Sequence, residues 1–506
     1  ASDAMNGVHL TSSEPIPHYF GDADAPLFGW LHPDSMGQQA DVGLVVCSPF
    51  GFEEVCAHRS VKHMAEAFSS AGIPTLRFDY AGCGDSAGDE FEPNILSGWV
   101  DSIHQAIDHL KRASGVRSVF LLGVRLGATL ASVAAVDRTD VSGLISIAPV
   151  VRGRSYVREL LVLGQTGLAA SAGGGTKEEV LEAAGFVMTQ ETRGAVTALD
   201  LRTLPRPPAK NILLIERDDV PAAQDWLPSL QSFDVSVVSR NWPGYRDMMT
   251  DPQRAKYPAE MMTGILSEIQ KWRECLSQNR TTMLEPEHSL PVLPQSAVWG
   301  SLRFKESVAQ INTGTSKLYG ILTQLSDQTV ASAKRVGVVM INSGSVHHIG
   351  PNRLWVQLSR RWAEHGLIVL RLDLSGVGDS PSREGTQDNV VYSAEARHDI
   401  ALALSFMREL VGQEGECHLM GLCSGAYHTF KAAVAGEIMT SALMINPLTF
   451  NWIVGTPLND VIKDYEVISL SSKYRRNLLS KEPWMKLVRG QLDFKYIFGV
   501  AVRRVW

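Results

Sequence analysis

Short, continuous runs of apolar residues alternate along this chain with longer segments in which apolar residues recur every three or four positions. Residues 43–47, 75–79 and 118–122 are runs of the first kind, and residues 103–110 belong to a segment of the second. A short apolar run is typical of a strand covered on both faces, and the longer period is that of an amphipathic helix. The alternation therefore predicts a mostly parallel sheet with helices on both faces.

Two segments of the sequence occur twice. LRFDYAGCGDS at residues 76–86 matches LRLDLSGVGDS at residues 370–380, and GVRLGA at residues 123–128 matches GLCSGA at residues 421–426. The copies lie nearly the same distance apart in both cases, which chance glycines would not produce. The sequence therefore predicts two copies of one α/β fold.

Each copy has the same predicted order of elements. In the first copy we expect a hairpin at about 18–32 and, late in the copy, two strands and a closing helix at 211–216, 235–239 and 257–276. In the second copy we expect strands at 336–341, 367–373, 417–420 and 442–445. The predicted domains are 8–276, with a helical cap insert at about 151–207, and 295–506, with a partial cap; a polar, proline-containing linker at 277–294 joins them.

The segment 421–426 has the G-x-Nu-x-G form of a nucleophile elbow, a sharp turn between a strand and a helix. Cys423 holds the nucleophile position, where the helix N-terminus favours the thiolate. The amide of Ser424 then becomes one donor of an oxyanion hole. The structural alternative is a buried cysteine in a glycine-rich turn.

Further candidates lie in the loop after the strand at 336–341. Gly344 and Ser345 are the candidate backbone donors opposite the Ser424 amide. His347 and His348 follow in the same loop, where one of them could act as general base or hydrogen-bond the oxyanion. The alternatives are an ordinary strand-end turn and a histidine pair that only shapes the pocket.

Arg125 occupies the elbow of the first copy and cannot act as a nucleophile, so this copy is predicted to be non-catalytic. A fixed cation there suits a carboxylate or phosphate, such as a pantetheine phosphate. The alternative is an ion pair that closes the pocket, with the partners Glu53, Glu54, Asp218 or Asp219.

The aspartates that recur in both copies, at 79, 85, 373 and 379, are interpreted as turn and loop anchors. In the alternative, Asp379 is the acid partner of a histidine.

The bulk composition excludes several classes of protein. A net charge of −7 over 506 residues gives no indication of a nucleic-acid partner. The six cysteines show neither a C-x-x-C motif nor paired spacing, which favours reduced thiols in the cytoplasm and no metal site. No apolar run is long enough to span a membrane. No cofactor is expected, and the oligomeric state is left open.

Taken together, these motifs resemble the α/β-hydrolase superfamily twice over, within its serine-aminopeptidase-like branch. The elbows GVRLGA and GLCSGA are similar to those of two hydrolase families associated with exosortase A and exopolysaccharide loci. The resemblance implies an acyl group carried as a thioester on a carrier protein or coenzyme A. It also implies a closing Asp and His on the last strands of the second copy. No matching residues occur up to Trp506, so either the natural protein continues beyond this residue or the base comes from elsewhere.

The function predicted from these observations is acyl transfer or hydrolysis through an acyl-enzyme on Cys423, acting on a thioester or an ester. The first alternative is a tandem scaffold without catalytic activity that binds an acyl carrier protein or a small ligand. The second is a general esterase or peptidase-type hydrolase. The glycine spacing disfavours Ser424 as its nucleophile, since Leu422 would then replace the first glycine.

Overall fold

The computed structural model describes residues 7–8, 14–36, 40–166, 180–183, 186–219, 221–278, 292–301, 303–326 and 334–453. These residues form two large sheets, one of eight strands and one of seven. Two further pairs of short strands complete the β-structure of the described chain. The two copies expected from the repeat are therefore both present as α/β units.

The first unit is built around the eight-stranded sheet, whose order is β11-β10-β7-β6-β4-β5-β3-β2. Its central strands pair in parallel, and β2 and β3 add an antiparallel hairpin at one edge. The strands are β1 (Gly7–Val8), β2 (Ile16–Gly21), β3 (Pro26–His32), β4 (Val42–Cys47), β5 (Thr75–Phe78), β6 (Ser118–Val124), β7 (Val141–Ile147), β8 (Val180–Ala183), β9 (Phe186–Thr189), β10 (Asn211–Ile215) and β11 (Ser236–Arg240). The helices are α1 (Phe52–Ser70), α2 (Ile95–Ser114), α3 (Leu126–Val136), α4 (Gly153–Thr166), α5 (Gln190–Ala198), α6 (Leu227–Gln231), α7 (Tyr245–Met248) and α8 (Ala259–Gln278).

The second unit repeats this arrangement in its seven-stranded sheet, whose order is β13-β14-β15-β17-β16-β18-β19. The strands are β12 (Leu293–Pro294), β13 (Ser296–Trp299), β14 (Phe304–Asn312), β15 (Lys317–Leu325), β16 (Val336–Ile341), β17 (Ile368–Leu372), β18 (Glu416–Leu422) and β19 (Ser441–Ile445). The helices are α9 (Leu354–Ala363), α10 (Ala396–Val411) and α11 (Ser424–Val434). The order β15-β17-β16-β18-β19 corresponds to β3-β5-β4-β6-β7 of the first unit.

The cores of the first unit lie on both faces of its sheet, as the continuous apolar strands require. One core joins the sheet to α2, α3 and the segment between β7 and β10, and the other joins it to α1 and α8. Every residue of β4 and β5 is buried. The expected mostly parallel sheet covered by helices is confirmed.

Between β7 and β10 lies the segment predicted as a cap. Its described elements are α4, the β8–β9 hairpin and α5, and these pack on one another. The glycine run at 172–175, most of the predicted linker and the proposed partial cap after residue 453 fall outside the described residues. So do the positions after residue 453 at which the second copy was expected to lack its last strands. In the described part of the chain, no helix is both long and apolar enough to cross a membrane.

The repeated segments after β5 and β17 join the two units by reciprocal contacts. Each segment supplies an aspartate that crosses to the other unit, where an arginine and a histidine hold it. In each unit this arginine lies on the strand that begins the same repeated segment, so the contacts have approximate two-fold symmetry. The two triplets are Asp85 with Arg371 and His348, and Asp379 with Arg77 and His58.

Candidate active site

Both elbows have the strained backbone of a nucleophile turn. Cys423 has φ 56° and ψ −114°, and Arg125 has φ 54° and ψ −123°. Each residue directly precedes a helix, α11 or α3. The glycine two positions later is required for close packing, because a Cβ on Gly425 would lie 2.4 Å from the carbonyl oxygen of Asn342. The side chains of Cys423 and Arg125 therefore occupy equivalent positions at the ends of β18 and β6.

The thiol of Cys423 is half-buried, and burial raises its pKa above the ordinary value. A hydrogen bond from the Ser424 amide opposes this increase without cancelling it. Among the described residues, no side chain hydrogen-bonds to Sγ. The pKa of the thiol is therefore raised, whereas the helix N-terminus was expected to lower it, because desolvation of the thiolate outweighs the backbone dipole here. Nucleophilic attack from this position therefore requires a base to remove the proton.

The second expected oxyanion donor is already engaged. The amide of Gly344 donates a hydrogen bond of 2.8 Å to the hydroxyl of Ser424. Gly344 and Ser424 also line a cavity of only about 10 Å³, roughly the space of one water molecule. The Ser345 hydroxyl is buried without a hydrogen-bond partner among the described residues. The loop thus lies beside the elbow as predicted, but an oxyanion could use the Gly344 amide only after the Ser424 hydroxyl turns away.

His348 lies at the contact between the two units and not in a position to act as base. Its Nδ1 is 2.7 Å from Asp373 and its Nε2 is 2.6 Å from Asp85. Burial disfavours the imidazolium, but the two carboxylates outweigh it and hold the pKa well above the ordinary value. Since both nitrogens are paired and the ring is protonated, the expected role of His348 as a general base does not fit this arrangement.

His347 also faces the first unit. Its ring stacks on that of His58 with 3.7 Å between centroids. Burial, followed by the charge on His58, lowers the pKa of His347 to about 4. Its Nδ1 is buried and has no hydrogen-bond partner among the described residues. His347 is therefore a neutral imidazole, but its described contacts run to the interface and include no hydrogen bond with Cys423.

The cation at the first elbow is neutralised by carboxylates. Arg125 Nε lies 2.7 Å from Glu53, and its terminal nitrogen lies 2.5 Å from Glu159 on α4. The guanidinium also lies over the ring of Tyr156. Glu53 was among the expected partners, whereas Glu159 was not, because the contact depends on how the cap segment folds over the elbow. The adjoining cavity of about 190 Å³ is thus lined by paired charges.

The other expected partners of Arg125 are used elsewhere. Asp218 accepts hydrogen bonds from the amides of Gly244 and Arg246, and Asp219 pairs with Arg217. Glu54 binds His58. The ion-pair interpretation of Arg125 therefore fits the geometry, with a different second carboxylate from those named on sequence grounds.

Two of the four recurring aspartates are loop anchors, as expected, and two are not. Asp79 and Asp373 accept the amides of Asp85 and Asp379, respectively, within their own loops. The side chains of Asp85 and Asp379 instead cross between units. The partner histidine of Asp379 is His58 on α1 of the first unit, which sequence reasoning did not name.

Among the described residues, two groups of side chains each bring three potential metal ligands together. They are Glu54 with His58 and His347, and His348 with Asp373 and Asp379. In the first group, Glu54 already pairs with His58 Nδ1, and His58 Nε2 faces Asp379. In the second, the carboxylates already pair with Arg77 or with the protonated His348. Neither donor set therefore fits a resident metal ion in this arrangement.

Residues 44–177, which include β4, the elbow at Arg125 and part of the cap, match the family described as serine aminopeptidase, S33. This chain has the α/β-hydrolase fold. A search of curated proteins finds no match to the sequence.

Several solved structures resemble part of the chain. Est1E from Butyrivibrio proteoclasticus with bound ferulic acid is 17% identical with a TM-score of 0.41, covering 51% of this chain and 99% of its own. An α/β serine hydrolase without lid from Xanthomonas campestris is 17% identical with a TM-score of 0.34, covering 52% and 98%. Proline iminopeptidase of Mycobacterium smegmatis is 17% identical with a TM-score of 0.36, covering 52% and 100%. In this chain the two elbow positions hold Cys423 and Arg125.

Proposed function

We propose that the second unit is an acyl-transfer enzyme that forms a thioester on Cys423. The observation that carries this proposal is the elbow itself. A half-buried thiol lies at the strained turn before α11, with the Ser424 amide directed at its sulfur. The same turn in the first unit holds an arginine fixed by two carboxylates. Only one of the two elbows therefore presents a nucleophile.

The proposed reaction begins with removal of the Cys423 proton by a base. The sulfur then attacks the carbonyl carbon of a thioester or ester, and the Ser424 amide donates to the developing oxyanion. Collapse of the intermediate breaks the bond to the leaving thiol or alcohol, which takes up a proton. Water, an amine or a hydroxyl then attacks the acyl-enzyme and releases Cys423. A thioester on a carrier protein is the proposed donor, in line with the resemblance of the GLCSGA elbow.

The test is detection of the acyl-enzyme by intact-mass spectrometry after the full chain is mixed with an N-acetylcysteamine thioester. We expect one acyl group per chain, mapped to Cys423 by peptide analysis and lost in Cys423→Ala. Cys275→Ala is the matched control, because it removes an exposed thiol on α8 away from the elbow. An adduct that persists in Cys423→Ala, or that disappears in Cys275→Ala, would overturn the proposal.

The second candidate is a non-catalytic scaffold for an acyl carrier protein or small ligand. The occupied Gly344 amide and the raised pKa of the Cys423 thiol favour it. It predicts slow, unspecific labelling of Cys423 that does not exceed the labelling of Cys275. A single-turnover rate at Cys423 well above that at Cys275 would exclude this candidate.

A further inference from the structure

A large cavity lies between the two units, and its lining includes neither elbow side chain. Its volume is about 500 Å³, within the range of small-molecule binding sites. The loops after β4 and β5 form its floor, and β9 of the cap segment covers one side. Residues 346–353 of the second unit close the opposite side. Neither unit alone supplies a complete wall.

Several aromatic rings line this interdomain cavity. Phe50 stacks on Tyr80 with 4.5 Å between ring centroids, and Phe186 of β9 lies 6.2 Å from Phe50. Gly51 permits this approach, since a Cβ there would lie 2.4 Å from Phe186. Ile349 adds an aliphatic surface from the second unit. Such a surface binds an apolar ligand, which packs against the faces of the aromatic rings.

The charged side chains that line the cavity are mostly acidic. Carboxyl groups come from Glu54, Asp79, Glu90 and Asp251, and a single guanidinium comes from Arg353. That guanidinium donates to the carbonyl oxygens of Gly84, Ser86 and Gly88, so its donors are already used in holding the two units together. Glu54 is paired with His58. The Arg353 charge remains, but Asp79, Glu90 and Asp251 outnumber it, so the described lining carries net negative charge beside aromatic faces.

We propose that the interdomain cavity binds an apolar ligand that carries one ammonium group. The aromatic faces accept the hydrocarbon body and attract the cation, and Glu90 and Asp251 supply the opposite charge. An anionic ligand of the same shape meets like charge instead. This site is independent of acylation at Cys423, and the ligand contacts both units at once.

The test uses three probes of matched shape, 4-phenylbutylamine, 4-phenylbutanol and 4-phenylbutyrate, titrated into the full chain by calorimetry at pH 7. We expect the amine to bind at least tenfold more tightly than the alcohol, and the carboxylate to bind most weakly. The double variant Glu90→Gln/Asp251→Asn should lose this preference while alcohol binding changes less than threefold. Equal binding of amine and carboxylate to the wild type would overturn the charge assignment.

A second pair of variants tests the location. Val187 lines the cavity from β9, and Val187→Trp should fill it and weaken amine binding at least tenfold. Val162→Trp is the matched control, because Val162 is exposed on α4 of the same segment and lies outside the cavity lining. Unchanged binding in Val187→Trp, or an equal loss in Val162→Trp, would place the ligand elsewhere and overturn the proposal. Thermal midpoints of both variants establish that each remains folded.

Discussion

The side chain at the elbow decides what each unit can do, because the backbone there is nearly the same in both. At Cys423 a polarisable thiol meets one backbone donor. At Arg125 a cation meets two carboxylates and can neither attack a carbonyl nor receive an anion without breaking an ion pair. The pseudoenzyme interpretation of the first unit therefore rests on the identity of one residue and on the charges that fix it.

The Ser424 hydroxyl is expected to restrain catalysis, because it occupies the amide of Gly344. In Ser424→Ala that amide becomes free to stabilise an oxyanion, and we expect Cys423 acylation to accelerate about tenfold. Single-turnover labelling followed by intact mass measures the rate. Ser132→Ala is the control, because it removes a buried hydroxyl from α3, the corresponding helix of the first unit. A slower rate in a folded Ser424→Ala chain would contradict this and assign the hydroxyl a positive role.

Replacement of Arg125 should affect folding stability and not acylation. Arg125→Ala leaves Glu53 and Glu159 without their shared cation, and because Glu159 is 45% exposed we expect a loss of only about 1–2 kcal/mol. Denaturant unfolding measures the loss, and Arg125→Lys should restore part of it. The acylation rate at Cys423 should stay within twofold of wild type. A large decrease in that rate would show that the first unit takes part in catalysis.

At the scale of elements, the apolar pattern was a good guide to the parallel strands. The predicted strand at 336–341 is β16, and the one at 417–420 is the centre of β18. The hairpin of β14 and β15 follows from the repeated order of elements, but no bounds were predicted for it. Only three of the nine positions of β14 are buried, so it carries none of the continuous apolar signal of the central strands. Central strands are therefore predictable from hydrophobicity alone, whereas the bounds of a strand such as β14 depend on its neighbours for burial.

The packing of α11 against β16 depends on the absence of a side chain at Gly425. In Gly425→Ala the new Cβ would lie 2.4 Å from a backbone oxygen that cannot move freely, and we expect a loss of about 1–3 kcal/mol. Gly194→Ala on α5 is the matched control, because no atom lies within 4 Å of its added Cβ. That variant should gain about 0.5–1 kcal/mol from better helix propensity. Equal effects of the two changes on the thermal midpoint would contradict the close packing at the elbow.

At the scale of the whole molecule, the sequence showed the repeated segments but not the contacts that they make between the two units. Arg77 and Asp85 recur as Arg371 and Asp379, and recurrence alone is compatible with contacts inside each copy. The structure instead pairs the arginine of one copy with the aspartate of the other. The residue of the first copy that corresponds to His348 is Glu54, which is not a histidine. Glu54 instead pairs with His58. Pairing between the copies depends on how the two units dock, and the sequence pattern of one copy carries no information on that docking.

The same pairing predicts how stability depends on pH. Burial disfavours the His58 imidazolium, but Asp379 and Glu54 outweigh this and raise the pKa to about 9 from an ordinary 6.5. A raised pKa contributes stability that is complete below pH 6.5 and is lost as the pH rises through 9. For His58 alone the upper limit is about 3 kcal/mol. His348 acts in the same direction, so unfolding followed by denaturant should show a steady loss of stability between pH 7 and pH 10.

At acidic pH, His347 has the opposite effect on how stability depends on pH. Its pKa is lowered to about 4, so its contribution to stability is complete above pH 6.5 and is lost as the pH falls towards 4.

Asp379→Asn should reduce the loss of stability between pH 7 and pH 10, the alkaline limb of the profile, because it removes the carboxylate that holds the proton on His58. Asp140→Asn is the matched control, since the described ion pairs of Asp140 are with Arg138 and Lys111 and include no histidine. If Asp140→Asn flattened the alkaline limb equally, the pH dependence would arise from charge loss in general and not from the histidines between the two units.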